Sequence, residues 1–136
     1  LPWPDLVARL TSAGWHHLPN ARTTVEAAGR TVEVRGVDDP HIERDDYGLV
    51  AGSPREDSDI SIGVAHAPYL RVVDAMAADG LDLMLAGHTH GGQVCIPGIG
   101  ALVTNCDLDR RQASGLSHRS SSTGCATRPT PIASAA

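Results

Sequence analysis

Three residues of this 136-residue chain have the most chemistry to offer: His66 and the pair His88/His90. A neutral imidazole carries a lone pair at physiological pH, which makes histidine the commonest protein ligand for metal ions. His88 and His90 stand at i and i+2. In an extended segment both side chains point to the same side and reach one pocket. They lie in the run Gly87-His88-Thr89-His90-Gly91-Gly92. Glycines there let the backbone approach a ligand closely and adopt positive φ. The amides of Gly87, Thr89, Gly91 and Gly92 suit a phosphate. The chemistry indicated is cation binding beside a phosphate-bearing ligand.

The elements that must position these residues are legible around them. Ile60, Ile62 and Val64 alternate in a strand that ends at His66. Pro68 opens a helix over about Tyr69–Asp79, with Leu70, Val73, Met76 and Ala77 on one face and Gly80 as its stop. Leu81–Ala86 is nearly all apolar and reads as a second strand, buried on both faces, that ends at the histidine pair. Strand, helix and strand form a βαβ unit, whose crossover is right-handed by rule. In open α/β sheets ligands bind at the carboxyl ends of the strands, so all three histidines emerge at one edge. A histidine at one strand end is by itself as readily a polar cap on a loop. The conjunction of three carries the reading.

Upstream, Pro4, Asp5, Leu6, Val7 and Leu10 give a short helix stopped by Gly14. Residues 22–37 read as a hairpin, with Val25, Val32 and Val34 alternating and the turn at Ala28–Gly29–Arg30. The polar stretch Asp38–Asp59 is a loop of a length that is usually functional or mobile. Short strands are expected at Val94–Ile96 and Ala101–Asn105. Arg71 and Asp74, three apart on the helix, read as a surface pair. His16–His17 alternate in direction and do not form a metal pair, and His41 in the long loop is not counted among the ligands.

Composition bounds the function class. Apolar residues are 41% and charged residues 20%, within the globular range. No apolar run is long enough to span a membrane. A formal net charge of -5, with scattered arginines, argues against a nucleic-acid partner. Cys95, Cys106 and Cys125 form no CxxC spacing, which points away from a disulfide framework or cysteine zinc site and towards a reducing, cytoplasmic setting. Cys95 and Cys106 read as small buried hydrophobes and Cys125 as an exposed thiol. The first residue is Leu1, which suggests part of something longer.

The segment Gly87-His88-Thr89-His90-Gly91-Gly92-Gln93 resembles the last signature motif of the calcineurin-like metallophosphoesterases, of bacterial and particularly actinobacterial type. Gly63-Val64-Ala65-His66-Ala67-Pro68 resembles the single-histidine motif before it, and Gly36-Val37-Asp38-Asp39-Pro40 is a weaker companion. The resemblance runs from about Trp3 to Ser117, covering the C-terminal half of the family. It implies an α/β chain that forms part of a four-layer αββα sandwich with two mixed β-sheets. It also implies a hydrolase: a hydroxide bridging two divalent ions (manganese, iron or zinc) attacks a phosphomonoester or phosphodiester in line. By motif match His66 and His88 would bind one ion and His90 the other, with Gly87, Thr89, Gly91 and Gly92 near the phosphate. The substrate would be a small molecule or lipid, and the complete protein could be membrane-associated.

The family's other ligands belong to an Asp-x-His, a Gly-Asp-x-x-Asp and a Gly-Asn-His-Asp/Glu, and none of these is expected in this chain. Residues 1–116 are therefore expected to be the C-terminal part of such a domain, holding no ion or one and having little or no activity alone. The alternatives are a non-catalytic three-histidine zinc site or a truncated product without function. Half of a two-sheet sandwich would leave an apolar face uncovered and promote self-association. Residues 117–136 are rich in Ser, Thr, Ala, Pro and Arg and read as a disordered tail, unable to form a strand, that either replaced the native end through a reading-frame change near Ser117 or is a natural low-complexity end.

Overall fold

The computed structural model describes residues 2–90, 92, 94–96, 100–112, 114–119 and 130–134. Helix α1 covers Trp3–Ser12, with Pro4 in its first turn and Gly14 just past its end at φ 89°. Strands β1 (Ala21–Ala27) and β2 (Arg30–Gly36) form the antiparallel hairpin in the expected register, Val25 opposite Val32. Ala28 and Gly29 turn it with φ 52° and 72°, the two positive values that a type I′ turn requires. Strand β3 is Ile60–Ala65, helix α2 is Leu70–Asp79 and strand β4 is Leu83–Ala86. β3 pairs parallel with β4, so the βαβ unit forms as the periodicity predicts. Short strands β5 (Val94–Ile96) and β6 (Gly100–Val103) pair in a small ribbon of their own.

The main sheet is mixed and six-stranded, in the order β1-β2-β3-β4-β8-β7. Strands β7 (Gly115–Arg119) and β8 (Thr130–Ser134) correct the expectation of a structureless tail. β8 adds parallel to β4 and places Ile132 in the core at 0% exposure. Its Thr130 hydroxyl donates to the Leu81 carbonyl at 2.8 Å. Counting large apolar residues underestimates such a segment. A strand joining an existing sheet draws its order from the ladder, and one anchoring side chain suffices.

One face of the sheet is packed. Val72, Val73, Met76 and Ala77 of α2 lie on Ala65, Met84, Ala86 and Ile132. Gly63 allows the close approach, since a Cβ there would strike the Met76 sulfur. Burial of those four helix side chains stabilises the layer by roughly 1.5–3 kcal/mol for each of the larger ones. The opposite face is far less covered: Val64 is 38%, Leu85 39% and Leu116 66% exposed. Strand β4 is thus fully buried on one face only, at Met84 and Ala86, contrary to its all-apolar appearance, while Leu85 on the other face stays partly exposed. A groove of about 450 Å³ runs over that open face, bordered by Trp3, His17, Val25, Val34, Val64 and His66.

The stretch between β2 and β3 contains two 3₁₀ turns, Pro40–Ile42 and Tyr47–Leu49, and is tied to the sheet. Val50 is completely buried. The Asn20 carboxamide accepts the amides of Asp38 at 2.9 Å and Asp46 at 3.0 Å. Arg22 donates from Nε to the Val50 carbonyl at 2.8 Å and also bonds Ala51. Beneath the loop, buried Arg35 bonds Glu33 at 3.1 Å, Asp79 at 2.7 Å and the Tyr47 hydroxyl at 3.0 Å. Burial, and then the Asp79 carboxylate, push the Tyr47 phenol well above its usual range. Polar composition made this stretch read as a free loop; its anchors come from arginines remote in sequence.

Among the described residues no helix is long and apolar enough to cross a membrane.

Candidate metal-binding edge

Strands β3 and β4 run parallel with Ala65 beside Ala86, so the residues that follow them leave the sheet at the same edge. The Gly87 amide donates to the His66 carbonyl at 3.0 Å and holds the two strand ends together. The chain then turns sharply. His88 and His90 both adopt left-handed backbone, with φ 66° and 50°. Such a conformation costs a non-glycine residue roughly 1–2 kcal/mol, and strain of this kind gathers at functional sites. The pair is therefore presented by a turn. The extended geometry assumed from the i, i+2 spacing does not apply.

The turn still brings the imidazoles together. His66 and His88 have ring centres 4.6 Å apart, and His88 and His90 6.3 Å. Two imidazoles sharing one ion at ~2.0–2.1 Å per nitrogen have centres roughly 4.5–5.2 Å apart. The 66/88 pair falls at that spacing and the 88/90 pair beyond it. The Nε2 atom of His88 is buried and has no hydrogen-bond partner. Burial is the main reason its pKa is lowered, followed by the neighbouring His66 and His41. A buried ring nitrogen with no hydrogen-bond partner is a donor atom of the kind a divalent cation takes. As the side chains stand, no group of three or more His, Cys, Asp or Glu residues among those described is arranged to hold an ion.

The amides of Gly87, Thr89 and Gly92 are engaged within the turn. Gly87 donates to His66, Thr89 to the Gly87 carbonyl at 2.8 Å, and Gly92 to the Thr89 carbonyl at 2.8 Å. These amides close the turn on itself. Thr89 is fully buried and Gly92 sits at φ 93°, so both shape the turn from inside. Gly91 lies outside the described residues, as do Gln93 and Cys125.

Several residues of this edge escaped the sequence reading. His41 has its ring centre 4.4 Å from that of His88, closer than His66 or His90. Its Nδ1 is 3.0 Å from the Tyr69 hydroxyl, which in turn donates to the Asn105 carbonyl at 3.3 Å. A signal was present: Asp39-Pro40-His41 has the bare Asp-x-His spacing that the reading did not credit. The Asp107 carboxylate accepts the Leu70 amide at 2.7 Å and caps the start of α2. Arg71 pairs with Asp45 at 2.5 Å, and Asp74 with Arg119 at 2.6 Å. The expected Arg71–Asp74 pair does not form, because each finds a better partner across a loop. His16 and His17 are exposed and apart from the cluster, with His17 edge-on to Trp3 at 5.8 Å. Cys106 is half-buried.

Over 66 residues the chain is 39% identical to Uncharacterized protein YpbG of Bacillus subtilis (strain 168), a match that covers 48% of this chain and 25% of that protein. The matched region thus spans about a quarter of that relative's length. No family model matches the chain, and no solved structure matches it.

Proposed function

We propose that this chain is the C-terminal part of a metal-dependent phosphoesterase of the calcineurin-like type, contributing three histidine ligands to a two-ion centre. The observation that carries the reading is the convergence of His66, His88 and His90 at the carboxyl ends of adjacent parallel strands. His66 and His88 would hold one ion and His90 the other. The 4.6 Å and 6.3 Å ring spacings support that division. When bound, the ions would supply a hydroxide of lowered pKa and neutralise phosphoryl oxygens of a small-molecule or lipid ester. The chain's own part is to hold the His88 and His90 imidazoles in a turn beside that of His66. On this reading the open face of β3 and β4 is where the second sheet of a four-layer sandwich would pack, and in isolation it favours self-association.

A second reading, one ion held without catalysis, draws support from the local carboxylates. Asp38 accepts the Asp39 amide at 2.8 Å and pairs with Arg44 at 3.0 Å, while Asp39 accepts the His41 amide at 2.9 Å. Both are engaged within the β2–β3 loop.

Hydrolysis of bis(p-nitrophenyl) phosphate with Mn²⁺ tests the first reading. The isolated chain is expected to turn over slowly at best, with any increment above the metal-only background lost in His90→Ala. Turnover that persists in a chelator and in His90→Ala would overturn the metal chemistry. Fast Mn²⁺-dependent turnover would overturn the claim that the chain is only part of the enzyme.

A further inference from the structure

We propose that the groove over strands β1, β2 and β3 binds an organic cation with an apolar body, an alkyl- or arylammonium, whose charged end meets the Asp39 carboxylate. The site lies outside the metal reading above and uses none of its ligands, although His66 borders the groove. Three observations carry it.

The first is an apolar floor. Strand pairing sets Thr23 opposite Val34 and Gly36 beside Val64, so Val25, Val34 and Val64 share one face of the sheet, and all three line the groove. The neighbouring charged residues Arg22, Glu33 and Arg35 point to the other face, where both arginines bond Glu33. A concave, mainly apolar site of about 450 Å³ is of the size that small molecules occupy. Leu85 and Leu116 lie outside it, which leaves the β4 side of the open face to other packing.

The second is an aromatic wall on a fixed support. The segment that follows α1 crosses β2 at Gly36, where a Cβ would strike the Leu18 carbonyl. This close approach seats His16–Pro19 on the sheet. Trp3 stands against His17 and completes the wall, with 5.8 Å between ring centres. The Trp3 side chain is largely unspent in the fold: α1 buries no residue, and Trp3 is 63% exposed. Among side chains, indole offers the best face to a cation.

The third is charge. The titratable groups lining the groove are the carboxylates of Asp38 and Asp39 and the imidazoles of His16, His17 and His66, with no arginine among the described residues that line it. With histidine neutral at pH 7, the lining carries negative charge alone. Asp38 is paired with Arg44 at 3.0 Å. Asp39 accepts the His41 amide through Oδ1 at 2.9 Å, and its Oδ2 has no hydrogen-bond partner among the described residues. An open carboxylate oxygen beside an apolar groove favours a positively charged donor over a neutral or anionic group.

The test is isothermal titration calorimetry of the whole chain at pH 7 with three probes that share one body: 3-phenylpropylammonium, 3-phenylpropanol and 3-phenylpropanoate. The ammonium is expected to bind about 10-fold more tightly than the alcohol, and the carboxylate more weakly than either. Asp39→Asn removes the charge and keeps an acceptor for the His41 amide. It is expected to leave the affinity for the alcohol unchanged and to abolish the preference for the ammonium, a split that a purely structural role would not give. Trp3→Ala is expected to weaken ammonium and alcohol alike by about 10-fold, with an unchanged urea unfolding curve. A wild type that does not prefer the ammonium, or a preference that survives Asp39→Asn, would overturn the charge selection. Binding that Trp3→Ala leaves intact would overturn the placement in the groove, and a folded wild type that takes up none of the probes would overturn the site.

Discussion

Replacing Arg35 with alanine is expected to cost the fold about 3 kcal/mol, measured as the shift of a urea unfolding curve at neutral pH. Arg35 is 0% exposed and its partner Glu33 1%. Its Nη2 meets Glu33 at 3.1 Å, and its Nη1 meets Asp79 at 2.7 Å and the Tyr47 hydroxyl at 3.0 Å. Removing one member of a buried ion pair typically costs about 3–5 kcal/mol, because the other charge stays buried without its partner. The lower end applies here. Glu33 retains the Arg55 amide at 2.7 Å and a longer contact to Arg22 at 3.4 Å, and Asp79 retains Tyr47 at 2.6 Å and the Gly52 amide at 2.7 Å. The pair Glu33→Gln with Arg35→Met should recover much of the loss, since the lone charge is then gone. A loss below about 1 kcal/mol in Arg35→Ala would mean that the charges find water or other partners and that the network is not what ties the β2–β3 loop to the sheet.

Replacing His88 with glycine is expected to move stability and binding in opposite directions. Its φ of 66° is left-handed, a conformation free for glycine and worth roughly 1–2 kcal/mol against other residues. The buried Nε2 has no partner, and an unsatisfied buried polar group costs about 1–3 kcal/mol. Glycine's greater freedom in the unfolded chain offsets about 0.5–1 kcal/mol of the gain. The metal-free His88→Gly protein should therefore be about 1 kcal/mol more stable than wild type. Its affinity for Zn²⁺ should fall at least about 100-fold. A residue that weakens the fold while enabling a ligand is a functional residue. If His88→Gly both unfolds more easily and binds Zn²⁺ normally, the histidine is a packing residue.

What the sequence reveals follows the range of the physical signal. Periodicity is local, so α1, the β1–β2 hairpin, β3, α2 and β4 are legible in Val25/Val32/Val34, Ile60/Ile62/Val64 and Leu70/Val73/Met76. The parallel βαβ geometry follows from them, and with it the shared edge of His66, His88 and His90. Long-range pairing is not local. Nothing near Arg71 announces Asp45, and nothing near His41 announces Tyr69 or His88. β8 was missed because its single large apolar residue, Ile132, has meaning only beside Met84 and α2. The i, i+2 spacing of the histidine pair pointed to the right residues for the wrong reason. It assumed extended backbone, whereas the chain turns through two left-handed residues, His88 and His90, within the hydrogen bonding of Gly87, Thr89 and Gly92.

The central claim is that histidines at the ends of β3 and β4 hold a divalent ion, and its most direct measurement is the Zn²⁺ content of the chain after equilibrium dialysis. The account predicts one ion per folded chain, lost when His66 and His88 are both replaced by alanine. No bound Zn²⁺ on the folded wild type, or binding that survives the double replacement, would contradict it.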